Sequence, residues 1–145
     1  MTRCTAMRPL RLPLIVASVA ALSVALIQPA SSRPYPDRAG ICYFFRGEVR
    51  KLTQTCVISG GYGAGAHYAV LQWSDGVRTS ITMINYCPRQ KYDKDGFCKY
   101  TVDDREAKPY KRDVFFQTTT SADSDNLDCY RVISTGNSVC YRFNK

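Results

Sequence analysis

The sequence predicts a mainly β domain: a small antiparallel barrel or sandwich of about 7–8 strands, built from disulfide-stapled hairpins, with at most one short helical turn. Three observations predict it. Residues 68–84 form two alternating apolar runs around Ser74-Asp75-Gly76, six cysteines follow an export leader in closely spaced pairs, and the other apolar runs are short and divided by turn residues.

The run 68–84 organises the chain. Asp-Gly between alternating strands admits either a two-residue type I′ loop or a three-residue loop whose Gly76 takes the left-handed bulge position. The shorter loop sets Trp73 opposite Arg78 and divides the large side chains between both faces. The longer one sets Trp73 opposite Val77 and gathers Ala69, Leu71, Trp73, Val77, Thr79, Ile81 and Met83 on one face. A ribbon needs one side to bury, so the three-residue loop is expected.

Residues 1–32 read as a signal peptide: Arg3, Arg8 and Arg11 precede an apolar run over 14–27, and the small residues Ala30 and Ser32 suit cleavage before Arg33. The run is short of the ~20 residues a spanning helix needs, so no membrane span is expected after cleavage. Loss of those three arginines takes the formal charge of +8 down by three, to +5. The expected location is secreted or periplasmic. Residues 33–40 hold two prolines and no apolar period and are expected to form a flexible N-terminal arm, with 41–145 as a single disulfide-stabilised β domain.

With Cys4 lost in the leader, six cysteines remain, an even set that an oxidising compartment turns into a disulfide framework. Cys42 and Cys56, Cys87 and Cys98, and Cys129 and Cys140 lie close in sequence, so sequential pairing is expected among the fifteen connectivities six cysteines allow. Zinc is the competing use. No C-x-x-C pair occurs and His67 is the only histidine, so no metal is assigned.

In chain order, 41–45 and 49–58 make a first hairpin around Arg46-Gly47-Glu48. The glycine-rich stretch 60–66 lacks the G-K-[ST] and the following helix of a phosphate loop, and reads as a pliable connector. Residues 88–97 form a polar loop tied at its base, with Asp93-x-Asp95-Gly96 an Asp-Gly turn in preference to part of a calcium loop. Asp103-Asp104-Arg105-Glu106 has the spacing of a capping box and predicts the one helical turn, which Pro109 ends. Residues 113–120 read as a strand. The linker 121–128 brings Asp123, Asp125 and Asp128 together, a weak cation candidate against the plainer reading of a solvated turn. Runs at 129–133 and 138–143 complete the third hairpin.

Catalytic inventory is thin. A secreted ribonuclease-type hydrolase would need His67 as acid or base with Arg78 or Lys91 on a phosphate, but no second histidine and no G-x-S-x-G occur. Glu48 and Glu106 are the only glutamates, and nothing pairs them as in a glycosidase. Polyanion binding is the second alternative: Arg89, Lys91, Lys94, Lys99, Arg105, Lys108, Lys111 and Arg112 are interleaved with tyrosines, though five acidic residues share the segment.

The run G-Y-G-A-G-A-H-Y followed by L-Q-W-S-D-G-V-R-T resembles small secreted cyanobacterial-type proteins without an assigned activity, over roughly 42–143. A lysozyme-inhibitor-like barrel is a looser analogy. The resemblance implies no catalytic residue, and no cofactor is expected. The reading preferred is a secreted or periplasmic, non-catalytic binding module for an unknown protein or envelope polymer. Ten tyrosines offer rigid contact area with a polar tip. The expected contact surface is Tyr62, His67 and Tyr68, backed by Arg78.

Overall fold

Nine strands are laid down in chain order: β1 (Arg33–Arg46), β2 (Val49–Gly63), β3 (Ala66–Trp73), β4 (Arg78–Ile84), β5 (Lys99–Val102), β6 (Arg105–Arg112), β7 (Thr118–Thr119), β8 (Leu127–Val132) and β9 (Asn137–Phe143). This computed structural model describes residues 32–144, so all of the expected leader but Ser32 lies outside the described residues. Every pairing is antiparallel, in the order β5-β4-β3-β2-β1-β9-β8-β6-β7. A further β5–β6 pairing closes eight of the strands into a barrel, with β7 as an extra edge strand. Closure leaves few exposed edges open to further pairing. Among the described residues there is no helix, and none long and apolar enough to cross a membrane.

The hairpin over 68–84 has the three-residue loop. Trp73 N donates to Val77 O at 2.8 Å and Gly76 N donates to Trp73 O at 3.0 Å, with Gly76 at φ +86°. Ala69, Leu71, Trp73, Thr79 and Ile81 are buried inside the barrel, with Met83 packed beside them. Val77 is the exception, 55% exposed beside the turn.

Two clusters hold the domain together. Inside the barrel, the Cys42–Cys56 bridge, Ile58, Leu71, Trp73, Ile81, Val102, Val132 and Val139 pack with three buried tyrosines, Tyr100, Tyr130 and Tyr141. On the outer face, Tyr43, Phe45, Leu127 and the Cys129–Cys140 bridge form a second cluster, against which Phe116 is packed. Phe116 lies edge-on to Tyr43 at 5.4 Å.

Four stretches differ from the sequence expectation, each for a local reason. Residues 33–40 are not a loose arm but the first half of β1, paired with β2 as Arg33↔Tyr62 and Tyr35↔Gly60. β9 reaches only to Gly40, so this half has one partner and its prolines leave no central ladder position empty. The glycines of 60–63 belong to β2, and a side chain at Gly61 would stand 2.6 Å from Tyr68 Oη and 2.7 Å from Arg33 O. The connector itself is only Ala64-Gly65. The expected helical turn at 103–106 is a two-residue hairpin loop instead: Asp103 and Asp104 both have positive φ, 48° and 63°, the pattern of a type I′ turn. Asp103 also accepts a hydrogen bond from Ser80 N at 2.8 Å, which fixes the turn to β4. In 113–120, only Thr118–Thr119 is strand. The Asp113 carboxylate accepts from Phe115 N and Gln117 N, both at 2.9 Å, and curls the backbone into a turn.

Arg112 crosses the outer cluster and joins distant parts of the chain. Its guanidinium donates to Glu48 at 2.6 Å, to Phe116 O at 2.5 Å and to Tyr110 Oη at 3.1 Å, and stacks over Phe45 at 4.4 Å. Glu48 also receives Arg131 at 2.6 Å. The hydrogen bond from Arg112, aided by both positive charges, holds the Glu48 carboxyl below its ordinary value of 4.5 despite some desolvation. A depressed folded-state value means that this pair contributes stability above pH ~4.5 and that the contribution is lost as pH falls through the lower, folded value. Glu48→Gln should therefore melt below wild type near neutral pH, with the gap closing on acidification. Parallel urea titrations from about pH 7 to 3 check this, since every other carboxylate is common to both proteins. A gap that widens in acid would contradict the assignment.

Candidate functional site

One end of the barrel is ringed by aromatic side chains. The contacts run from Tyr62 on β2 to His67 on β3 (4.8 Å between ring centroids), to Phe97 in the β4–β5 loop (5.4 Å), and to Tyr100 on β5 (5.7 Å). They continue to Tyr130 on β8 (6.0 Å), to Tyr141 on β9 (6.4 Å, nearly parallel) and to Phe143 (5.7 Å). Two contacts return to β1: the Arg38 guanidinium lies 3.9 Å over Phe143, and Tyr35 Oη is 3.3 Å from His67 Nδ1. Strand alternation produces the series. Tyr100, Tyr130 and Tyr141 share the inward parity of Val102, Val132 and Val139.

Beside these rings opens a cavity of about 700 Å³. The two longest connections, 85–98 and 113–126, border it. The barrel wall is incomplete here, because β6 pairs with β5 only as far as Ala107 and with β7 only from Lys111. Pro109, which has no N–H to leave unpaired, sits in that gap. Met83, Phe97, Tyr100, Tyr110 and Tyr130 supply apolar surface, while Asp93, Lys94, Asp95, Lys111, Asp128 and Thr118 to Thr120 supply polar groups.

The β4–β5 loop is tied by Cys87–Cys98 and ordered internally by Asp93. Its carboxylate accepts from Asp95 N at 3.0 Å, from Phe97 N at 2.9 Å and from the Tyr100 hydroxyl. Desolvation pushes the Asp93 carboxyl upward, but the bonds from Tyr100 and the loop backbone outweigh it and leave the group below the usual aspartate value. It is an anion at neutral pH. Burial raises Tyr100 and Tyr130 well above an ordinary phenol and takes Tyr141 to about 12, so all three remain neutral hydroxyls. Across the cavity, Lys111 Nζ donates to Asp128 at 2.7 Å as a cross-strand pair.

Of the residues singled out in the sequence, Tyr62 and His67 are cross-strand partners on the inner series, whereas Tyr68 and Arg78 both lie on the outer face. His67 pairs with Met83 and Arg78 with Gln72, so five strand positions, roughly 17 Å, separate the two along β4. Their parity also differs: Arg78 is on the outer face while His67 meets the inner aromatic series. A single phosphate cannot engage both. Of the basic residues considered for polyanions, Arg112 is buried against Glu48 and Lys111 is paired with Asp128. Asp123 accepts from Asp125 N, Asp128 holds Lys111, and no group of three or more potential metal ligands occurs among the described residues.

A second, smaller cavity of about 280 Å³ lies at the opposite end, over Phe44, Trp73 and Val139 with Asp75, Asp103 and Arg105 at its rim. The chain matches no protein-family model, no curated protein and no solved structure.

Proposed function

We propose that this protein is an extracytoplasmic binding module whose ligand occupies the larger cavity, between the loops 85–98 and 113–126. The observation that carries this is the run of aromatic rings beside a solvent-open cavity of about 700 Å³. Ligand sites are concave, largely apolar and furnished with a few placed polar groups, and they occur at the mouths of β-barrels. Three disulfides and the leader-like residues 1–32 support export. Tyr62 and His67, which meets Phe97, then form one shoulder of the mouth, and Tyr68 and Arg78 fall outside it on the outer face. A hydrolase using His67 is less favoured, because its Nδ1 meets Tyr35 and its ring is held between Tyr62 and Phe97.

A chemically mixed fragment library, observed by amide chemical shifts, tests the location without presuming a ligand. Shifts should concentrate on residues around the mouth. Ala122, an exposed residue at the cavity wall, provides the block: Ala122→Trp should leave the melting temperature within about 2 °C, because exposed substitutions cost little, yet abolish those shifts. Hits concentrated on the smaller cavity, or spread evenly over the surface, would refute the assignment.

A further inference from the structure

We infer that the ligand of this mouth is a saccharide, such as a segment of an envelope glycan; this rests on the binding-module reading above and adds the ligand's chemistry. A pyranose has an apolar C–H face and a rim of hydroxyls, each of which both donates and accepts. The cavity offers ring surface from the half-buried Phe97 and Tyr110, with only the 7% exposed remainder of Tyr100 and Tyr130 added, and, within the same opening, anionic acceptors and ammonium donors, Asp95 and Lys94 among them. Hydrogen bonds to charged partners are the strong ones, and hydroxyls can use both signs at once.

Other ligand classes fit less well. A hydrocarbon chain would strip water from charged walls and return no hydrogen bond. A polyanion would meet three aspartates, and one of the two lysines is already taken by Asp128. A peptide strand added to β6 would find an unpaired edge only over residues 108–110, interrupted by Pro109.

The test uses protein recovered after expression of the full chain, titrated with chitin hexasaccharide, β-1,4-glucan hexasaccharide and a soluble peptidoglycan glycan fragment. A heparin fragment and a short-chain phospholipid serve as the competing classes. At least one of the three glycans should shift amides around the mouth and bind saturably. The double variant Lys94→Ala/Asp95→Ala, confined to an exposed loop, should weaken that binding at least tenfold, Ala122→Trp should abolish it, and Ile133→Ala, outside the mouth, should leave it unchanged. If none of the three glycans binds, or if heparin or the phospholipid alone fills the mouth, the saccharide inference is overturned while the binding-module reading stands. That reading falls separately, if the fragment library finds no site at the mouth.

Discussion

Reducing the three disulfides of the folded protein should unfold it at physiological temperature. They close loops with sequence separations of 14, 11 and 11. Loops of this size restrict the unfolded chain by about 3 kcal/mol each, and domain stability is only about 5–15 kcal/mol in all. The bridges should not be equal. Cys42 and Cys56 sit inside the barrel, 0% and 5% exposed, so their joint replacement by alanine also loses buried core atoms. Cys129 and Cys140 are opposed residues of β8 and β9 and are likewise buried, in the outer cluster. Cys87–Cys98 ties only the loop at the mouth. Urea unfolding of the three double-alanine variants should rank their stabilities in reverse of that order, with Cys87→Ala/Cys98→Ala closest to wild type. Finding this last variant the least stable would contradict the division between barrel and loop.

How much of this was legible in the sequence follows from the range of each interaction. The Trp73 hairpin could be derived because its alternatives differ locally: only one register makes a single buried face. Cysteine pairs 11 to 14 residues apart were legible for the same reason. Turn chemistry was ambiguous where one pattern serves two structures. Asp-x-x-Glu before an apolar residue suits a capped helix, but Asp103-Asp104 tolerates the left-handed region, and the β4 backbone at Ser80 gives the hairpin its partner. The pairings of β1 with β9 and of β6 with β8 join elements whose order no local pattern records. Arg112 looked like one more cation in a basic run, and its partner Glu48 is 64 positions away. The mouth was illegible as a site because its parts come from β4, β5, β6, β8 and two loops. A usable signal was present: Tyr100, Tyr130 and Tyr141 fall on the alternation of their strands' apolar residues, which marks them as inward-facing rings.

Trp73→Ala should produce the largest loss of any single substitution, about 3–5 kcal/mol, the range for removing a large buried aromatic side chain. Trp73 is 5% exposed, pairs with Cys56 on β2 and forms part of the floor of the smaller cavity. Its neighbourhood is stapled by Cys42–Cys56, so the barrel wall cannot collapse inward to fill the void, and the cost should lie toward the upper end. The indole also donates to Thr79 Oγ1 at 3.1 Å inside the barrel. Trp73→Phe separates the two contributions: it keeps most of the ring volume and removes the donor, and should cost about 1–3 kcal/mol, the range for leaving a buried polar group unsatisfied. Thr79→Val in the Trp73→Phe background should then recover part of that loss, because the hydroxyl left without its donor is removed as well. His67→Ala supplies the contrast. His67 is only half-buried at the rim of the mouth, so the fold should survive its loss with a small shift. Urea midpoints of the four variants measured together decide the matter: if Trp73→Ala shifts the midpoint no more than His67→Ala does, the barrel interior is not where this fold's stability resides.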